Sequence, residues 1–146
     1  MDLDAQYRAV VSRRRRQAAT LSFRASTMGK PADREVARDP QDLARLLVSR
    51  QRAGDADGMA ALYALDAVLD CGSGTLARGR DAIRAFYAGV VASGRKFELG
   101  DQRPAILSGD VALTSTRLPN GIVTAEIARR QTDGTWLWVI DQPAIA

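Results

Sequence analysis

Three turn signals in the second half of the chain constrain its fold more than any other feature. Ser108-Gly109-Asp110, Pro119-Asn120-Gly121 and Thr132-Asp133-Gly134 each interrupt a β-rich run. The runs they join are Arg103–Leu107, Val111–Leu118, Ile122–Gln131 and Thr135–Asp141, with a further strand expected over Lys96–Gly100. Asn-Gly and Asp-Gly between such runs favour tight hairpins, because glycine and its partner accept the positive φ that the turn needs. The spacing therefore predicts an antiparallel meander in residues 96–141.

The first half has the other periodicity. Asp39-Pro40 reads as a helix start, a capping side chain followed by proline at the first helical position. Leu43, Leu46 and Leu47 then recur at helical spacing, and Gly54 ends the run. Asp55 is placed to cap a second helix with Met59, Leu62, Tyr63 and Leu65 as its apolar stripe. Ala67–Cys71 reads as a short strand broken by Gly72-Ser73-Gly74. A third helix follows Gly79, with Ile83, Phe86, Tyr87, Val90 and Val91 on one face and Gly94 at its end. Helices first and strands after them imply an α+β domain.

Charge separates this domain from what precedes it. The chain carries a net +4, but residues 1–40 hold nine Lys/Arg against five Asp/Glu, an excess of four. Residues 41–146 hold twelve of each and are neutral. Residues 1–39 are thus expected to be a basic N-terminal extension, solvated or partly helical, and residues 40–146 the folded domain. Only the Arg13–Arg16 run offers a nucleic-acid contact, since the domain has no surplus cations for phosphates. No stretch approaches the roughly 18 apolar residues of a membrane span. A cytoplasmic location is expected, because one cysteine cannot form an internal disulfide. The chain contains no histidine, which removes the commonest metal ligand and the usual partner of a nucleophilic serine or cysteine. No metal and no cofactor are expected.

Several segments, in order, resemble the NTF2-like (SnoaL-like) superfamily. Residues Ala53 to Tyr63 resemble its inter-helix elbow, and Gly79 to Tyr87 its third-helix entry. Arg129 to Trp136, followed by Val139-Ile140-Asp141-Gln142-Pro143, resembles the last hairpin of SnoaL-like members. The resemblance implies a cone: three N-terminal helices packed on a strongly curved antiparallel sheet, with an apolar pocket at the wide end. It also implies a homodimer through the sheet and a small apolar molecule as partner. Pocket positions implied are Leu47, Tyr63, Cys71, Phe86, Tyr87, Arg117 and Trp138.

Two catalytic sets known in this superfamily do not carry over. The ketosteroid isomerase base would fall at Cys71, its first-helix tyrosine at or near Leu47, and its late-strand aspartic acid near Glu126 or Ile127. Only Tyr87 matches cleanly. The Asp-Arg-Asp set of limonene-epoxide hydrolases would fall near Val111, Leu113 and Trp138. The acids that remain as acid/base candidates are Asp141, Asp70 and Glu126, each with a structural alternative. Asp141 caps a turn before Pro143 or does chemistry, and Asp70 faces solvent or a helix end. Glu126 lines the pocket or pairs with Arg117 across strands. Cys71 reads as a packed side chain. Strand alternation puts Trp136, Trp138 and Ile140 on one face of the last strand and Leu137, Val139 and Asp141 on the other. Two functions are thus expected to compete: an apolar-ligand binder without a known catalytic set, and a cofactor-independent isomerase, cyclase or hydrolase using a pocket carboxylate.

Overall fold

The computed structural model describes residues 34–145. The Arg13–Arg16 run lies outside the described residues. Among the described residues, three helices, α1 (Asp42–Arg52), α2 (Ala56–Ala60) and α3 (Arg80–Ala92), accompany eight strands. These are β1 (Tyr63–Asp70), β2 (Leu76–Arg78), β3 (Asp101–Gln102), β4 (Ile106–Ser108), β5 (Val111–Thr114), β6 (Thr116–Arg117), β7 (Ala125–Arg130) and β8 (Trp136–Gln142). Six of them form one sheet in the order β2-β1-β8-β7-β5-β4, while β3 and β6 form a separate pair.

The helices begin and end for local reasons. Asp39 does not cap α1; its carboxylate accepts from the Gln41 amide at 2.8 Å and shapes a turn, so the helix starts at Asp42. Asp55 caps α2 as expected, accepting from the Gly58 amide at 2.9 Å. Yet α2 stops at Ala60, and Leu62, Tyr63 and Leu65 do not continue its stripe. Residues from Tyr63 onward form β1 instead, because β8 lies alongside as a parallel partner and takes up the backbone groups. Leu65, expected in a helix core, is 75% exposed. Burying Tyr63 and pairing with β8 outweigh a short helix that could satisfy few of its own hydrogen bonds.

Two other departures involve the sheet. The β1–β8 pair is parallel, so the expected antiparallel sheet holds everywhere except at the join between its first and last long strands. A parallel join needs a long crossover, and everything from β2 to β7 supplies it. Residues 96–100 form no strand: the buried Gln51 side chain serves as their partner. Its Oε1 accepts from the Phe97 amide at 2.7 Å, and its Nε2 donates to the Arg95 carbonyl. Conversely β2 was not expected; it returns along β1 through the Cys71–Thr75 turn, with the Cys71 amide donating to the Thr75 carbonyl at 2.8 Å.

Residues 34–39, expected within the extension, lie against the domain. Ala37 is buried and its carbonyl accepts from the Trp136 amide at 2.9 Å, while Arg34 pairs with Asp55 at 2.8 Å. Arg50, itself buried, donates to the Gly58 and Glu35 carbonyls and ties this strap to α1 and α2. The core fills the space between the helices and the inner face of the sheet, with Leu43, Leu46, Met59, Ile83, Phe86 and Trp138 among its members.

The last strand positions the interior. Ile127 pairs with Ile140 and Ala128 with Trp138, so Val139 is an extra residue, a β-bulge. Up to the bulge, Trp136 and Trp138 face inward; beyond it the alternation is reset, Ile140 turns outward and Asp141 turns inward. The even alternation expected from the sequence thus fails at one residue, and Asp141 joins the tryptophan face. A one-residue shift exchanges faces because the side-chain period of a strand is two.

A second close fit sets the edge of the interior. A methyl group added at Gly100 would stand 2.3 Å from the Arg117 carbonyl oxygen, a backbone atom that cannot swing aside. Gly100→Ala is expected to cost about 1–3 kcal/mol, read as a lower denaturation midpoint with an unchanged denaturant dependence.

Candidate functional site

Register across the sheet assembles the site. Thr114 on β5 faces Glu126 on β7, Glu126 faces Asp141 on β8, and Asp141 faces Leu69 on β1. These Cα partners share the inner face. The next inner row is Ala112, Ala128, Trp138 and Tyr63. Small alanines beside Trp138 and Tyr63 leave room for large rings, and Tyr63 and Trp138 meet with ring centroids 5.4 Å apart.

Two acids therefore lie side by side in the interior, Glu126 at 6% exposure and Asp141 at 4%. Each has fixed hydrogen bonds. Trp138 Nε1 donates to Thr114 Oγ1 at 3.2 Å, and Thr114 Oγ1 donates to Glu126 Oε2 at 2.7 Å. An indole nitrogen is only a donor, so Thr114 Oγ1 accepts from it and keeps its own proton for Glu126 Oε2. On the other side Tyr63 donates its phenol to Asp141 Oδ2 at 2.5 Å, and the Tyr87 hydroxyl lies 2.6 Å from that of Tyr63. With the Tyr63 proton engaged by Asp141, Tyr87 is the donor of the second bond. Asp141 is thus held through Oδ2.

Burial raises both acids, and repulsion from Glu126 adds to it at Asp141. Asp141 lies well above the usual carboxylate range, first because burial penalises its charge and then because Glu126 is close; the Tyr63 bond only partly offsets this. Glu126 is raised by burial, against hydrogen bonds from Thr124 and Thr114 that favour its anion. Burial also pushes the Tyr63 phenol well above its ordinary value, assisted by the Asp141 charge. Two interacting carboxyls of this kind release their protons as a pair.

A cavity of about 420 Å³ opens over these groups. Glu126, Asp141, Trp138 and Tyr87 line its buried end, with Leu47 and Val48 of α1 along one side. The segment Arg95–Gly100 and the turn around Pro119 border its exposed end. The volume falls in the usual range for small-molecule sites.

Of the residues singled out in the sequence, Leu47, Tyr87, Trp138, Glu126 and Asp141 line this cavity. Tyr63 does not reach the wall but holds Asp141 from behind. Phe86 and Cys71 are packed in the core away from the wall, Phe86 edge-on to Tyr87. Asp70 accepts from the Gly72 amide at 2.8 Å and shapes the β1–β2 turn, outside the cavity. Arg117 is not the partner of Glu126: it sits on the exposed side of β6 and borders a second cleft, while Thr114 takes the Glu126 oxygen. Sequence reasoning passed over Thr114 and Thr124, and also Phe97, which packs at the cavity margin. The hairpin register through the Pro119-Asn120-Gly121 turn was the available signal for Thr114 opposite Glu126. Among the described residues no group of three or more His, Cys, Asp and Glu side chains is placed to hold a metal. No helix among them is long and apolar enough to cross a membrane.

Three helices on the inner face of a bent six-stranded sheet, with a cavity between the layers, define an NTF2-like cone. The SnoaL-like domain matches residues 44–146, well over half of the chain, and the chain belongs to that family. Solved structures agree on the fold. A protein from Thiobacillus denitrificans described as a calcium/calmodulin-dependent protein kinase type II association domain superposes with a TM-score of 0.61 at 19% identity, over 75% of this chain and 96% of that one. A ketosteroid isomerase-like protein from Erwinia carotovora gives 0.53 at 19% identity, over 69% and 88%. An NTF2-like protein from Novosphingobium aromaticivorans gives 0.53 at 21% identity, over 68% and 75%. No curated protein matches the chain by sequence.

Asp141→Asn tests the electrostatics. A carboxyl with a raised folded-state pKa keeps its proton in the native state after the unfolded chain has released it. Its contribution to stability is full below the unfolded value of 3.8 and is lost as pH rises toward the folded value. Wild type is therefore expected to lose this contribution as pH rises from about 4. Asp141→Asn, which cannot ionise, should flatten that slope in melting temperatures taken across the range. Tyr63→Phe removes the donor to Asp141 and should cost about 1–2 kcal/mol in denaturant unfolding.

Proposed function

We propose that this SnoaL-like domain binds a small, largely apolar molecule and moves a proton on it without a cofactor, using Glu126 and Asp141 as an acid/base pair. The observation that carries this is the juxtaposition of the two acids at the buried end of an apolar cavity. Two carboxyls that cannot both be charged at low cost divide the roles between them. The ionised member accepts a proton from the substrate, and the neutral member gives one to a substrate oxygen. The pair ends with the proton count it began with, which suits isomerisation, cyclisation or dehydration. Tyr87, which lines the cavity, and Tyr63 behind it hold Asp141 in register for that exchange.

The sheet's other face supports the expected homodimer. Ile106, Leu113, Ile127, Ile140 and Val68 are consecutive Cα partners across five strands and form one aliphatic row on the outer face. Ile106, Leu113 and Ile140 are exposed in the single chain. A continuous row of this kind is the sort of surface that a second copy covers. Leu113→Lys with Ile140→Lys should convert a dimer to a monomer in light scattering, while leaving the cavity untouched. A wild-type monomer at high concentration would contradict it. A cytoplasmic setting belongs to the same reading, since the chain has no internal disulfide to protect.

A second reading, binding without turnover, is favoured by one feature: the position matching the isomerase base is Cys71, which is core-packed and outside the cavity. Deuterium exchange separates the two. Enolisable apolar ketones incubated with the protein in heavy water should gain deuterium, and Glu126→Gln or Asp141→Asn should slow this by roughly 10²–10⁴-fold. Ligands that bind equally to wild type and variants, with no exchange above buffer, would leave only the binder.

A further inference from the structure

We propose that the cavity's occupant is an amphipathic organic anion, its acidic group at the mouth beside Arg95 and Lys96 and its apolar body directed to the Glu126–Asp141 floor. This rests on the cavity's being a small-molecule site. The cavity wall is graded from end to end. At the buried end stand Trp138, Glu126 and Asp141; at the other end Lys96, Glu98 and Leu99 are exposed and Arg95 is half-buried. The walls between are aliphatic and aromatic, with Leu47, Val48 and Phe97 among them. A ligand filling this space meets formal charge at the mouth.

Among the described residues, cations outnumber carboxylates in the lining of that mouth. Two cations, Arg95 and Lys96, border the opening against one carboxylate, Glu98. Lys96 donates to the Arg52 carbonyl at 3.1 Å, a neutral acceptor that leaves its charge in place. Arg52 in turn donates to the Phe97 carbonyl at 2.8 Å, so a third cation braces the same segment from α1. The Arg95 guanidinium carbon lies 6.0 Å from the Phe97 ring centre, which sets the group against the aromatic wall. Gln51 fixes the backbone of residues 95–97 through both ends of its amide. The cations are therefore carried on a braced segment, although it has no regular secondary structure.

The excess over the domain as a whole is what makes the mouth informative. Residues 41–146 are electrically neutral, yet the consecutive pair Arg95-Lys96 stands where a ligand must enter. Partly exposed cations add modest affinity each, but they discriminate sign and steer entry.

Two dyes with one aromatic body supply the test: 8-anilinonaphthalene-1-sulfonate and the uncharged N-phenyl-1-naphthylamine. The sulfonate is expected to displace the neutral dye from one shared site and to bind it about fivefold more tightly at low salt. Added salt should erase that advantage. Arg95→Gln with Lys96→Gln should weaken the sulfonate about fivefold and leave the neutral dye within about twofold. Should the double variant not fold, Lys96→Gln alone makes the same comparison at an exposed position, with a smaller change. Equal or tighter binding of the neutral dye at the shared site, insensitive to the charge variants, overturns the anion inference and leaves the cavity reading intact. If neither dye binds, or if the cavity-filling Val48→Trp displaces neither, the cavity reading fails and the inference fails with it.

Discussion

The burial of Asp141 beside Glu126 is the interaction on which the rest of the structure turns. Two adjacent acids in an interior are costly, since burial and repulsion both oppose ionisation, and a fold tolerates them only when every oxygen is accounted for. Here the accounting is done by side chains that otherwise belong to the core. Trp138 directs Thr114, and Thr114 directs its proton to Glu126. Tyr63 on β1 serves Asp141, and Tyr87 on α3 holds the Tyr63 hydroxyl in turn. Among the described residues no buried side-chain polar atom lacks a partner. The largest rings of the interior thus both fill the core and orient the acids.

One inserted residue brings the acids together. Without the bulge at Val139, regular alternation would send Asp141 to the outer face and Ile140 inward beside Glu126. The bulge separates the strand into a first part, whose tryptophans build the core, and a second part, whose acid meets the cavity. It also delivers Ile140 to the aliphatic row on the opposite side. The chemistry inside and the surface outside are consequences of the same backbone irregularity.

How much of this was legible in the sequence follows from the same physics. The turns at Gly109, Asn120 and Asp133 are local, carried by residues with distinctive backbone preferences, and the hairpins they predict are present in the register. The helix from Arg80 to Ala92 was equally local, its apolar face and its glycine stops being visible in sequence. What failed was non-local. Ala67 to Asp70 is strand as expected, but Tyr63 and Leu65, expected in a helix, joined the same strand because β8, more than seventy residues away along the chain, lies beside it. Residues 96–100 lost their expected strand to the side chain of Gln51. The placement of Asp141 could not be read from alternation because a bulge carries no residue signature here. Asp141 and Glu126 were legible as available acids; that they face each other, and that Asp70 and Arg117 stay out of the cavity, needed the sheet register.

Carboxyl-carbon NMR of the protein labelled at aspartate and glutamate side chains, followed through a pH titration, tests the central claim most directly. With Asp141→Asn and Glu126→Gln as assignment controls, the Asp141 signal is predicted to remain that of a protonated acid well beyond the pH at which the exposed carboxyls have ionised. Its curve should show a second inflection from Glu126, and Glu126→Gln should remove that inflection and lower the Asp141 midpoint. An Asp141 signal that ionises together with the surface aspartates, and that ignores Glu126→Gln, would contradict a coupled buried acid pair.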